Sequence, residues 1–339
     1  MSEVLILSQE TIGRVLTMSD AIRGVEEAYC QKSTGAGCLF PLICHVFEPE
    51  RADLDIKSGH LARSGIYGLK MVSWFGDNEK KGLPALFGTT LLFDDSTGVP
   101  VALLNAGAVT GMRTGAAGAV GAKYLARRDS RRMLMVGTGA QAPYQIAAVL
   151  LAMPGIDTVE LCSPRSPSRA ADRLDAIRQA VEELLNGGRA EPYIIAAAEN
   201  LEEAVGRSDV IVTATPSHQP LIRREWVRPG THFSCVGADM AGKQELDGAI
   251  LGDARIFVDD LTQAVSVGEC EMAIRQGHLG PEEIAGEIGD LIEGALPGRT
   301  DREEVTVFDS TGIALQDLVV SKVAVERAKE RRLGVTAEL

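Results

Sequence analysis

The run Met133-Leu-Met-Val136 ends in Gly137-Thr-Gly139, and residues 140–153 continue at once with a helix-compatible pattern. A buried strand, a glycine turn and a helix N-terminus, in that order, constrain this chain more than any other feature. The combination makes a cradle for a pyrophosphate. Gly137 gives the tight turn, Gly139 lets the backbone approach the phosphates, and the first amides and dipole of the helix, from Ala140 and Gln141 on, attract negative charge. The third glycine of a Gly-x-Gly-x-x-Gly pattern is replaced by Ala142, still small enough for close helix–strand packing. A glycine turn between a strand and a helix also serves purely structural ends, so the surrounding pattern decides.

That pattern is repetitive. Short apolar runs at 133–136, 158–162, 192–196, 209–214, 231–236, 255–258 and 305–308 alternate with helical stretches at 140–153, 167–185, 201–205 and 283–293. Continuous apolar strands alternating with helices predict an α/β fold: a Rossmann-type, doubly wound parallel sheet covered on both faces. Residues 1–124 read differently. A helical stretch at 11–32 precedes strand-like segments near 39–47, 54–57, 67–73, 89–93 and 100–105, which suggests a mostly antiparallel α+β domain. Apolar residues at helical spacing over 315–329 predict an amphipathic C-terminal helix. The expected division is therefore a substrate-binding and dimerisation domain, residues 1–124 with 313–339, and a dinucleotide-binding domain, residues 125–312.

The 339 residues are enough for two full cores, and aromatics at only 4% leave those cores to aliphatic and small side chains. A net charge of −13 argues against nucleic acid or an anionic membrane surface as partner. Residues 1–10 lack the basic and apolar regions of a signal peptide, and no apolar run approaches the roughly 20 residues that span a bilayer. Six cysteines show neither Cys-x-x-Cys nor a Cys/His metal spacing, so a cytoplasmic protein with reduced thiols and no metal is expected.

Three polar groups stand out against this apolar background. Lys70 lies inside an apolar strand, either reaching to water from an edge or held in the interior. Arg113 opens an Ala/Gly-rich helix, Thr110-Gly-Met-Arg113-Thr-Gly-Ala-Ala-Gly118, as a solvated helix-end residue or a carboxylate ligand. Asp239 follows the buried strand ending at Val236, where a capping carboxylate and a ligand-facing one look alike in sequence; in open α/β sheets ligands bind at that edge.

Taken with their neighbours, these groups give the chain its kinship. It resembles the ornithine cyclodeaminase/μ-crystallin family over nearly its whole length. The matching motifs are Gly68-Leu-Lys70, Lys81-Gly-Leu-Pro84, Met112-Arg113-Thr-Gly-Ala-Ala117, Ala122-Lys-Tyr-Leu-Ala126, Gly137-Thr-Gly-Ala-Gln141, Gly237-Ala-Asp239-Met-Ala-Gly-Lys243-Gln-Glu-Leu-Asp247 and Phe308-Asp-Ser-Thr-Gly312. The family is dinucleotide-dependent and includes alanine dehydrogenases and imine or ketimine reductases. The resemblance implies that Lys70 and Arg113 bind the substrate carboxylate, and that Lys70 and Asp239 are catalytic, Asp239 facing the substrate nitrogen. It also implies that Arg113, Thr114, Thr213, Ala214, Thr215, Val236, Gly237, Lys243 and Ser310 join Gly137, Thr138, Gly139, Ala140 and Gln141 in holding the cofactor. An Arg fork and a Lys point charge suit a carboxylate, and a carboxylate suits a cationic imine.

Two departures narrow the match. The arginine that many members place after a proline in the first strand is missing from Phe40-Pro-Leu-Ile-Cys-His45, and the cyclodeaminase threonine is Ala85. Lys57, in Asp55-Ile-Lys57-Ser, looks like a segment of iminosuccinate-type reductases and stands as a substrate-binding substitute; it reads equally as a solvated hairpin lysine. After the second strand, Ser163-Pro-Arg165-Ser166 offers no acid for a ribose 2′-hydroxyl and could hold a 2′-phosphate, which favours NADP(H) and leaves NAD(H) possible. The expected activity is an NAD(P)H-dependent imine reductase or amino-acid dehydrogenase working as a homodimer on a small amino or imino acid. A cyclodeaminase-type lyase and a non-catalytic binding protein of the μ-crystallin kind are the alternatives.

Overall fold

The computed structural model describes residues 3–49 and 51–339. The chain divides into two compact units, Met1–Arg113 with Ile313–Leu339, and Thr114–Gly312. The division falls inside one helix, Ala106–Leu125, eleven residues before the boundary expected after residue 124.

The first unit is an eight-stranded sheet with helices against it. Its strands are β1 (Glu3–Leu7), β2 (Gly37–Leu39), β3 (Ile43–Glu48), β4 (Ala52–Leu61), β5 (Ile66–Phe75), β6 (Leu86–Asp94), β7 (Pro100–Asn105) and the C-terminal strand Val335–Glu338. The order is C-terminal strand, β1, β7, β6, β5, β4, β2, with β3 also on β4. All pairs are antiparallel except β1 with β7. The C-terminal helix Ala314–Glu330 packs on helix Met18–Ser33 and on β4 to β6. The helical stretch expected at 11–32 is two helices, Gln9–Val15 and Met18–Ser33. Thr17 divides them: its hydroxyl accepts the Asp20 amide at 3.1 Å while the Asp20 carboxylate accepts the Thr17 amide at 3.3 Å. This is a capping box that starts a new helix without disturbing the apolar spacing.

In the second unit every expected strand forms: β8 (Arg132–Val136), β9 (Thr158–Cys162), β10 (Ile194–Ala197), β11 (Val210–Thr213), β13 (His232–Cys235), β15 (Arg255–Val258) and β17 (Thr306–Asp309). Three short strands are additional: β12 (His218–Ile222), β14 (Gln244–Leu246) and β16 (Gly286–Glu287). The main sheet runs β10-β9-β8-β11-β13-β17-β15-β16, parallel throughout. Progression along the sheet reverses between β8 and β11, which is the topological switch point of a doubly wound fold. The stretch 283–293 is not one helix. A turn at Pro281–Glu283, β16 and a short helix Ile288–Ile292 replace it, with Gly286 at φ 151° interrupting the pattern. The central strands are buried on both faces, and Leu134, Val136, Ile211, Phe233 and Val307 share one aliphatic core. No helix among the described residues is long and apolar enough to cross a membrane.

Candidate active site

At the switch point, backbone bonds lace the carboxyl ends of the strands together. The Gly137 amide donates to Cys162 O at 2.9 Å, Ala214 to Val136 O at 3.0 Å, Val236 to Thr213 O at 3.0 Å and Ser310 to Cys235 O at 2.9 Å. Gly137 adopts φ 117°, and a Cβ there would lie 2.6 Å from Ala214 O, so only glycine lets these two strand ends approach. The helix Ala142–Ala152 starts directly beyond. A cavity of about 370 Å³ opens at this point. It is lined by Gly137, Thr138, Gly139, Ser163, Arg165 and Thr215 among others. Gln141 Oε1 beside the turn is buried without a hydrogen-bond partner among the described residues. A glycine-lined space, an orphaned acceptor and a helix N-terminus fit a dinucleotide.

The adenosine side of this cleft follows β9. Glu160, the acid in that strand, is 7% exposed and committed to structure: Arg207 donates to its two oxygens at 2.6 and 2.7 Å, and Arg132 adds a bond at 3.3 Å. Beyond the strand end stand Ser163, Arg165 and Ser166, and Arg169 in the next helix also lines the cavity. Arg169 escaped the sequence reading, although its place four residues after Arg165 puts both cations near the start of one helix.

On the other side, Asp239 and Lys243 belong to the loop between β13 and β14. Asp239 is solvent-exposed and its Oδ1 accepts Lys243 Nζ at 2.5 Å. Glu271 accepts the Gly242 amide at 2.7 Å and so fixes the loop's far end. The Ser310 hydroxyl donates to Asp259 at 3.0 Å. The Thr114 carbonyl accepts Gln145 Nε2 at 2.8 Å, which ties the Ala/Gly helix to the helix after the glycine turn. No group of His, Cys, Asp and Glu among the described residues could hold a metal ion.

The first unit gathers the other candidates. Lys70 lies on β5 in the middle of the sheet, 4% exposed, and its Nζ stands 2.9 Å from both oxygens of Asp317. Arg113 Nε donates to Asp317 at 3.2 Å and Nη1 to Gln316 Oε1 at 3.1 Å; Gln316 Nε2 in turn donates to the Tyr29 hydroxyl at 2.5 Å. Burial pushes Lys70 down to about 8 against the pull of Asp317. Burial would also raise Asp317, but the charges of Arg113 and Lys70 overcome it and hold the carboxyl below its ordinary value. The β4–β5 register sets Lys57 directly opposite Lys70, and β6 sets Thr90 on the other side. Directly opposed residues share a sheet face, so two lysines and a threonine form one row. Thr90 Oγ1 is buried and has no hydrogen-bond partner among the described residues.

Asp317, Gln316, Tyr29 and Thr90 were missed in the sequence. For Asp317 a signal existed. With Val320, Ala324 and Ala328 it forms one buried stripe of the C-terminal helix, and a carboxylate on such a stripe needs a buried cation.

The chain is similar over most or all of its length to nicotinamide-dependent oxidoreductases that act on amino or imino acids. The chain belongs to the ornithine cyclodeaminase/mu-crystallin family, whose model matches residues 2–332. It is 38% identical over 337 residues to an alanine dehydrogenase of Archaeoglobus fulgidus, covering 98% of this chain and 97% of that one. An archaeal alanine dehydrogenase dimer with bound NAD superposes with a TM-score of 0.87 at 38% identity, covering both chains fully. The iminosuccinate reductase of Paracoccus denitrificans in complex with NAD+ gives 0.89 at 32% identity, again over 100% of both chains.

Proposed function

We propose that this protein is an NAD(P)H-dependent imine reductase or amino-acid dehydrogenase that interconverts a small α-imino or α-keto acid and an L-amino acid. The observation that carries the reading is the buried meeting of Lys70 and Arg113 over a single carboxylate, Asp317. Two cations against one anion leave a positive charge in a nearly dry place, which an incoming substrate carboxylate offsets. Asp239 takes the nitrogen end in this reading. An α-imino acid accepts hydride best as its iminium, and an ionised carboxylate stabilises that cation and holds or returns its proton. A nicotinamide held by the Thr114–Gly312 unit would supply the hydride, and Asp239 would balance the charge and hold the proton at the nitrogen. Dinucleotide binding falls to the Thr114–Gly312 unit, and substrate binding and dimerisation to the other.

Two finer assignments belong to this reading. The cofactor is NADP(H) by preference: Glu160 is fully engaged by arginines, while Ser163, Arg165 and Arg169 line the cleft where a 2′-phosphate would sit. Replacing Arg165 by Ala is expected to raise the KM for NADPH by about ten- to a hundredfold and that for NADH much less. The protein is a homodimer through the first unit, because every residue of the edge strand β3 is exposed, with Ile43 at 56%, Val46 at 59% and Phe47 at 55%. Cys162, Cys235 and Cys270, buried thiols used as apolar residues, suit a reducing cytoplasm.

The deciding experiment is a screen of L-amino acids, including ornithine, lysine and diaminobutyrate, for reduction of NAD+ and NADP+ and for ammonia release. Oxidation of an amino acid with matching cofactor reduction is expected. Ammonia release from a diamino acid without net cofactor change would move the assignment to the lyases. No turnover of any amino or imino acid would leave a binding protein.

A further inference from the structure

Two consecutive residues of the C-terminal helix hold Arg113. Asp317 Oδ1 accepts its Nε at 3.2 Å, and Gln316 Oε1 accepts its Nη1 at 3.1 Å. Bonds to two different nitrogens of a planar, delocalised group fix its plane. Neither contact uses Nη2, so that end of the fork stays available to a further acceptor. The two holders differ in charge. Asp317 brings an anion, and Gln316 brings an amide, which carries none.

Gln316 has only one way to sit. A guanidinium offers N–H groups alone, so the amide must turn its oxygen to Arg113, and its NH2 then faces the other way. There the Tyr29 hydroxyl of helix Met18–Ser33 accepts Nε2 at 2.5 Å. Gln316 is 0% exposed and Tyr29 1%, so water is no alternative for either end of the amide. A glutamate at this position would also have met Arg113, and as an ion pair. It would have cancelled the charge as well, with Lys70 and Arg113 facing two carboxylates. With glutamine, two cations share the single carboxylate of Asp317.

We propose that Gln316, oriented by Tyr29, is a positioning residue for the substrate carboxylate: it holds the Arg113 guanidinium in one plane without neutralising it. The inference rests on the reading of Lys70 and Arg113 as the carboxylate site. A fork held still in advance loses less freedom when an anion arrives, and an uncharged holder leaves its attraction undiminished.

The test is calorimetric binding of pyruvate, of 2-oxoglutarate and of pyruvamide, which lacks the carboxylate, to protein saturated with NAD+ or NADP+. Melting curves are recorded alongside. Gln316→Glu keeps an acceptor for Arg113 and adds a negative charge, and the two keto acids should bind about tenfold or more weakly. Gln316→Leu frees the fork, and a loss of about three- to tenfold is expected, the size of one hydrogen bond. The leucine variant should nonetheless melt lower than the glutamate variant, because it strands both Arg113 Nη1 and the Tyr29 hydroxyl in the interior. Pyruvamide should bind as it does to wild type. In an Arg113→Met background neither change should weaken keto-acid binding further. A residue that merely braced two helices would show affinity falling in step with melting temperature, the leucine variant being worse in both. That ranking, or equal losses for pyruvate and pyruvamide, would overturn the positioning role. Should the glutamate variant fail to fold, the comparison of pyruvate with pyruvamide in the leucine variant decides. If Arg113→Met binds the keto acids as wild type does, or wild type binds neither, the carboxylate reading itself falls, and this role with it.

Discussion

The two units each bury a polar centre, and they treat charge in opposite ways. In the first unit Asp317 is met by Lys70 and Arg113, so the carboxyl stays ionised in a fully buried position. In the second, Glu245, Glu269 and Asp309 face one another and thiols, and burial raises all three, Glu245 and Asp309 to about 7. The paired centre holds an excess cation and suits an exchange of anions. The unpaired centre keeps protons and suits holding backbone in place. A buried carboxyl is therefore not one kind of object. What it does follows from the charges around it.

Asp239 gives a third setting, exposed and paired to Lys243, and it makes the sharpest test of the contrast. If an ionised, accessible carboxylate is what the nitrogen chemistry requires, Asp239→Asn should lower turnover by at least ~10²-fold, the lower end for a lost acid–base group. The loss should appear in single-turnover oxidation of reduced cofactor, with cofactor affinity nearly unchanged if, as proposed, the pyrophosphate is held at Gly137–Gln141. Imine reduction at the wild-type rate would reduce Asp239 to a loop residue.

Next in size is the paired centre. Lys70→Met and Arg113→Met should each impair turnover tenfold or more while sparing dinucleotide binding, as expected for removing a charge-assisted contact. Each also leaves Asp317 short of a cation, so a destabilisation of about 3–5 kcal/mol in a denaturant titration is expected. Lys70 adds a pH signature. With the amine brought down to about 8, the KM for an imino acid should climb above that pH, and Lys70→Arg should remove the climb. An unchanged KM profile in the arginine variant would place the carboxylate elsewhere.

How much of this was legible beforehand differs between the units for a physical reason. In the second unit, buried parallel strands are continuous apolar runs bounded by turns, and each run from β8 to β17 that was long enough to read did form a strand. The glycine turn at Gly137 announces a backbone need directly. The splitting of residues 283–293 was hidden because a single glycine at φ 151° outweighs helical spacing. In the first unit the capping box at Thr17 and Asp20 was present in the sequence but masked by unbroken apolar periodicity. Side-chain meetings were the least legible. Lys70 and Asp317 are 247 positions apart, and only the sheet register reveals that Lys57 faces Lys70. Glu245 lies in the three-residue strand Gln244–Leu246, two polar residues beside one leucine, a pattern that marks no buried carboxyl.

The contrast between centres also predicts how stability responds to pH. Unfolded, Glu245 and Asp309 lose their protons near 4.5 and 3.8; folded, they keep them to about 7. Between those limits the folded state binds more protons, so stability falls as pH rises. Melting temperature should therefore drop by several degrees from about pH 5 to pH 8, measured by calorimetry at fixed ionic strength. Glu245→Gln should lessen the drop. Buried His232, which burial holds well below its ordinary value, works the other way, and a melting temperature that rises over this range would mean that such groups outweigh the carboxyls.

Lys57 has the smallest expected effect and probes how far the positive excess of the first centre extends. Its position opposite Lys70 on the β4–β5 ladder places two like charges on one face, an arrangement that favours an anion nearby. With Lys57 intermediate in exposure, solvent screens much of that repulsion, so the effect on a monocarboxylate should be slight. A second carboxylate on the substrate would change this, because Lys57 sets one more cation on the sheet face of Lys70. Lys57→Ala should accordingly lower kcat/KM for iminodicarboxylates by roughly three- to tenfold, in keeping with a partly screened charge pair, and alter alanine-like substrates by much less. Added salt should shrink the wild-type advantage for the dicarboxylate in parallel. If both substrate classes respond alike to the substitution, Lys57 contributes only to the sheet, and the discrimination comes from other residues.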